Sequence, residues 1–132
     1  MRTGSRTATR PPRVLVIDDD QALLRMVRLS MASDGLEVTT ATDGIEGLEA
    51  LESADYDVVV LDLQMPRMDG RAFFREAVSR GHNPQVVILS AYGAEQAQHE
   101  LKVAAAVPKP FDPDVLIETV RQVASRAASN GR

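Results

Sequence analysis

The sequence has 132 residues, no cysteine and a net charge of −4. That length suits one domain with its own core, and the absent cysteines exclude a disulfide framework and a thiolate metal site. No apolar run reaches the roughly 18 residues of a membrane helix, so no membrane span is expected and a cytoplasmic location is.

The charge is uneven. Arg2, Arg6, Arg10 and Arg13 all precede the first acid, Asp18. The remaining 11 basic residues face 19 acids, so the body carries −8. Such a body argues against a nucleic-acid surface, and no direct nucleic-acid partner is expected. Residues 1–12 carry their arginines among Thr, Gly, Ser and Pro, without the apolar segment of a secretory signal. They read as a basic disordered tail ahead of a folded domain over 13–128.

Arg13-Val14-Leu15-Val16-Ile17 is an apolar strand ending on Asp18-Asp19-Asp20. From Gln21 the period becomes helical, with Leu23, Leu24, Val27 and Met31 on one face and a stop at Asp34-Gly35. Leu36 to Thr40 alternates and reads as a strand. Asp43 and Glu46 form a capping box for a helix bearing Ile45, Leu48 and Leu51. Val58 to Leu61 is a strand apolar on both faces and ends on Asp62; Pro66 and Asp69-Gly70 mark the loop after it. Phe73, Phe74, Ala77 and Val78 line the next helix, which Gly81 stops. Gln85 to Ser90 is another buried strand, and a helix of small residues covers roughly Ala94 to Lys102. Ala104 to Val107 is a short fifth strand, placed at an edge by Pro108. Asp112-Pro113 opens a last helix with Val115, Leu116, Val120 and Val123 inward.

Strand and helix thus alternate five times. The expected fold is α/β: a five-stranded parallel sheet, order 2-1-3-4-5, with five helices on both faces, flavodoxin-like. In such sheets the reactive groups stand beyond the carboxyl ends of the strands. There the sequence places Asp18 and Asp19, Asp62, Ser90 and Lys109. Like charges about 4 Å apart repel by about 4 kcal/mol at intermediate dielectric, so three carboxylates need a counter-charge. Mg²⁺ suits them, because it takes carboxylate oxygens and welcomes a phosphate oxygen. Lys109, one of only two lysines against 13 arginines, supplies an ammonium. A carboxylate in that setting can attack phosphorus and form an aspartyl phosphate, with Ser90 bonding a phosphoryl oxygen.

Four stretches then match a known family in order: Val16-Ile17-Asp18-Asp19-Asp20, Leu61 through Gly70, Ile88-Leu89-Ser90-Ala91 and Lys109-Pro110-Phe111. Over roughly Arg13 to Ala127 the chain resembles the receiver domains of two-component response regulators, the single-domain CheY-like proteins in particular. The resemblance implies that Asp62 is the phosphoacceptor, with Lys109 and Ser90 as its partners. It implies Mg²⁺ on Asp18, Asp19, Asp62 and the backbone carbonyl of Gln64, and a cis bond before Pro110. It also implies a sensor histidine kinase or histidine phosphotransfer protein as donor, an output protein on the face of helix four, strand five and helix five, and a monomer or weak homodimer. Self-catalysed phosphoryl transfer and autodephosphorylation follow, without a separate enzymatic activity.

One position departs. Ala106 stands where the family commonly has an aromatic residue; either Tyr92, two after Ser90, takes over part of that role, or the output face changes differently. A pseudo-receiver that binds partners without phosphorylation is the alternative. A phosphatase resembling the haloacid dehalogenases would use Asp18 and Asp20, but Ala22 stands where that family has threonine or valine. A dinucleotide enzyme is less expected still, because strand one runs into acids rather than a glycine-rich turn.

Overall fold

The computed structural model describes residues 10–131. The tail's earlier residues, Arg2 and Arg6 among them, lie outside that range. In chain order the elements are β1 (Arg13–Ile17), α1 (Gln21–Ser33), β2 (Glu37–Ala41), α2 (Gly44–Ser53), β3 (Val58–Asp62), α3 (Gly70–Ser79), β4 (Val86–Ser90), α4 (Ala94–Leu101), β5 (Ala105–Pro108) and α5 (Pro113–Gly131). The sheet order is β2-β1-β3-β4-β5 and every pairing is parallel. The expected fold is therefore the observed one.

Successive residues of the inner strands feed opposite layers, as the pleat requires. Val14, Val16, Val58, Val60, Val87 and Leu89 pack with α1 and α5, around Val27, Met31, Leu116 and Val120. Leu15, Ile17, Val59, Leu61 and Ile88 pack with α2, α3 and α4, around Leu48, Phe73, Ala77 and Ala97. Both faces are covered, so β3 and β4 are buried at every residue. That is why they read as unbroken apolar runs.

Side chains set the helix starts. Asp20, Asp43 and Asp69 accept the backbone N–H of Leu23, Glu46 and Ala72 at the starts of α1, α2 and α3. The capping box at α2 is shifted from its expected form. Glu46 Oε1 reaches back one residue further, to the N–H of Thr42 at 2.7 Å and its hydroxyl at 2.8 Å. Gly35 and Gly81, at φ +88° and +90°, stop α1 and α3 as the sequence predicts. After Gly35 the Leu36 N–H bonds back to Met31 O, so Leu36 belongs to the helix end and β2 starts one residue later than expected. Three expected core residues are not in the core: Ile45, Val78 and Val115 are 43%, 50% and 52% exposed. None of the three packs against either layer of the core.

The end of the sheet where the strands begin is tied separately. Asp57 Oδ2 accepts the Arg13 N–H and meets the Arg10 guanidinium, both at 2.8 Å. Arg121 of α5 pairs there with Asp34, just past α1, at 2.9 Å. The opposite end is left for the acids.

Candidate functional site

Strand register aligns that other end. Ile17 is level with Leu61, Asp62 with Leu89, and Ser90 with Pro108. The residues following β1 and closing β3 therefore face each other across one strand spacing. Asp18 is fully buried, Asp62 is 3% exposed, and Asp19 lies open to solvent. One carboxylate oxygen from each of Asp18, Asp19 and Asp62 falls within 4.8 Å of the others.

Lys109 follows the edge strand. Its backbone N–H bonds to Ser90 O at 2.9 Å, and the bond to Pro110 is cis. Its ammonium lies 2.8 Å from Asp18 Oδ2 and 3.7 Å from Asp62 Oδ2. Burial alone would lower the Lys109 pKa, but the Asp18 carboxylate outweighs it, with help from Asp62, and the net shift is upward. The lysine is thus held charged.

Asp18 Oδ1 accepts the Asp20 N–H at 2.9 Å, which fixes the carboxylate in a tight turn. Asp18 Oδ2 is held by its charge contact with the Lys109 ammonium. Among the described residues it is the buried side-chain oxygen that has this ion pair and no further hydrogen-bond partner. A buried anion so placed keeps lone-pair capacity for a further positive partner. The donor set is all oxygen, as a hard divalent cation requires. The residues present fit Mg²⁺.

Asp62 is pushed up from 3.8 to about 6. Burial is the main cause and the Asp18 charge the second, while Lys109 and the Gln64 N–H pull the other way. That N–H reaches Asp62 Oδ1 at 3.4 Å, a long bond. A carboxyl whose folded pKa lies above its unfolded one binds its proton more tightly when folded. Asp62's contribution to the stability of the metal-free fold therefore rises as pH falls through about 6 and is a cost above it. Two units equal about 3 kcal/mol at most; partial solvation at the site mouth reduces this to about 1–2 kcal/mol. In chelator, the urea midpoint of wild type should rise from pH 7.5 to 5.5 relative to that of Asp62→Asn. Parallel profiles for the two proteins would contradict this account.

Ser90 is fully buried on the same rim. Its hydroxyl donates to Tyr92 O at 3.0 Å and accepts the Tyr92 N–H at 3.3 Å. It does not cap α4, whose first turn follows Gly93 without a side-chain cap. The predicted residues Asp18, Asp19, Asp62 and Lys109 are thus brought together; of Gln64 it is the N–H, not the expected carbonyl, that is seen to approach Asp62. Ser90 stands beside them with its hydroxyl turned to its own loop. One pair escaped the sequence reading. Arg67, in the loop after β3, meets the buried carboxylate of Asp43 at the start of α2. No periodicity or short spacing signals a pair so far apart in sequence.

The profile of the response regulator receiver domain matches residues 14–121. The chain belongs to this family. This receiver domain is 34% identical over 122 residues to the transcriptional regulatory protein GlrR of Escherichia coli (strain K12), covering 90% of this chain and 28% of that protein. It spans from about a quarter to about half of the curated relatives it matches. It is similar to the solved Francisella response regulator 1452 receiver domain, at 34% identity and TM-score 0.81, covering 88% of this chain and 98% of that one. It is also similar to the response regulator protein TrrA of Thermotoga maritima, solved in complex with Mg(2+)-BeF, at 28% identity and TM-score 0.75, covering 85% and 98%. Among the described residues of the receiver domain no helix is long and apolar enough to cross a membrane.

Proposed function

We propose that Asp62 of this receiver domain takes a phosphoryl group from a phosphohistidine donor and that the aspartyl phosphate switches a protein-binding face. The observation that carries this is the cluster itself: a nearly buried carboxylate held 3.7 Å from an ammonium and beside two further acids. An Asp62 oxygen forms the new bond to phosphorus while the phosphorus–nitrogen bond breaks. The donor imidazole keeps that electron pair and regains a proton, and water later hydrolyses the mixed anhydride. Lys109 faces the charge that gathers on the phosphoryl oxygens. Ser90, freed from Tyr92, is the hydroxyl that meets one of them. Asp18, Asp19, Asp62 and the Gln64 carbonyl are the groups for Mg²⁺, which when bound supplies positive charge against the acids and the incoming phosphate. The raised Asp62 pKa supports a need for that charge, since burial and Asp18 work against the ionised nucleophile.

The donor is a sensor histidine kinase or histidine phosphotransfer protein, acting in the cytoplasm on a folding unit that spans residues 13–128. An apolar groove of about 490 Å³ beside Lys109, lined by Ala22, Leu23, Met26, Ala91, Pro110 and Phe111, gives such a partner a surface within reach of the rim. The output partner binds the face of α4, β5 and α5, and the protein is a monomer or weak homodimer. Ala106 is half-buried on that face. Its small side chain favours, as a second reading, a pseudo-receiver that binds partners without phosphorylation.

The two readings separate in one experiment. Intact mass after incubation with a small acyl phosphate should show one added phosphoryl group with Mg²⁺ and none in chelator. No gain in either condition would leave the pseudo-receiver.

A further inference from the structure

The loop from Gln64 to Asp69 is fastened in an unusual way. Its base is closed by the Gly70 N–H on Leu63 O at 2.9 Å. Its crown is fastened to α2. Arg67 meets Asp43 Oδ2, and the Met68 side chain packs so tightly on Gly44 that an added Cβ would lie 2.8 Å from Met68 Cγ. Asp43 is 3% exposed, and its other oxygen already accepts the Glu46 N–H at 2.9 Å. Arg67 itself sits at φ +68°, a left-handed conformation that glycine would adopt freely and arginine resists. An exposed side chain on a strained backbone is retained where the surroundings over-determine it; here these are the turn bond from the Met68 N–H to Pro66 O at 2.7 Å and the ion pair to a buried carboxylate.

We propose that Arg67 and Asp43 form a latch that holds this loop in its cation-binding shape, making Arg67 a positioning residue for the metal site. The inference rests on the reading of Asp18, Asp19, Asp62 and the Gln64 carbonyl as Mg²⁺ ligands. Gln64 lies between the two fastenings, and its N–H already approaches Asp62 Oδ1 at 3.4 Å. Arg67 touches none of the acids in the cluster. It acts through the backbone that carries Gln64, as partners behind a ligand commonly do.

The test is calorimetric titration of Mg²⁺ into wild type, Arg67→Ala, Asp43→Asn and the double variant, with amide hydrogen exchange over 64–69 measured in chelator. Asn at 43 keeps an oxygen for the Glu46 N–H, so the helix cap survives. Each single variant should bind Mg²⁺ about tenfold more weakly, the double variant no more weakly than either, and the loop amides should exchange faster in all three. Arg67→Lys, which keeps the charge, should recover most of the affinity. Wild-type binding matched by folded variants would overturn the latch alone. No Mg²⁺ binding by wild type would instead overturn the cation reading beneath it.

Discussion

Asp62→Asn will gain no phosphoryl group from a small acyl phosphate with Mg²⁺, and it will be more stable than wild type. The two effects have one origin. Asp62 closes a strand buried at every residue, so its oxygens are held largely out of solvent next to Asp18. An ionised carboxylate there is disfavoured by burial first and by Asp18 second. The amide cannot attack phosphorus, so labelling falls to nothing. It also relieves the desolvated negative charge, for a gain of about 1–2 kcal/mol near pH 7.5 in chelator. Mg²⁺ stabilises a fold that binds it by mass action, so added cation should narrow the gap between the two proteins. Intact mass reads the first effect and urea unfolding the second. Residual labelling in the variant would move the phosphoacceptor to another side chain. Destabilisation by the amide would mean that Asp62 is better paired with Lys109 than the distances imply.

Gly70→Ala will destabilise the domain by about 3 kcal/mol or more, measured by urea unfolding. Gly70 opens α3 directly under the end of β3. A Cβ added to it would stand 2.4 Å from Asp62 O and 2.8 Å from Leu63 Cα. Both obstacles are backbone, which cannot swing aside as a flexible side chain can. Overpacking in a close-packed site commonly costs about 1–3 kcal/mol, and a main-chain obstacle belongs at the upper end or beyond. The displaced atoms belong to the main chain of Asp62 and Leu63, so phosphoryl uptake should fall along with stability. A variant within about 1 kcal/mol of wild type would show that α3 can slide away from the strand end.

The sheet was legible because burial on both faces leaves a plain trace. Val58 to Leu61 and Val86 to Leu89 are unbroken apolar runs, and each ends on a polar residue at the rim. The convergence of Asp18, Asp62 and Lys109 followed from parallel connectivity alone, and the observed register agrees. Helical periodicity was a weaker guide. It put Ile45, Val78 and Val115 with the core, yet each is at least two-fifths exposed. Period locates a stripe on a helix but not how far its neighbours extend over that stripe. The hydroxyl of Ser90 was not legible either. A serine can bond a distant group or its own backbone two residues on, and the sequence is the same in both cases. The Arg67–Asp43 pair depends on a loop conformation with a left-handed arginine, which no local preference would suggest.

The ties at the two poles of the sheet have a practical side. The chain enters the described structure at Arg10, fastened to Asp57, and α5 returns towards that same pole, where Arg121 meets Asp34. The acids lie at the other pole. A bead, a fluorophore or a fused cargo attached at Arg10 would therefore hang from the far side of the molecule. An immobilised sample would present its reactive mouth to the bulk solution, and a binding assay on a sensor surface would report the rim rather than the tether.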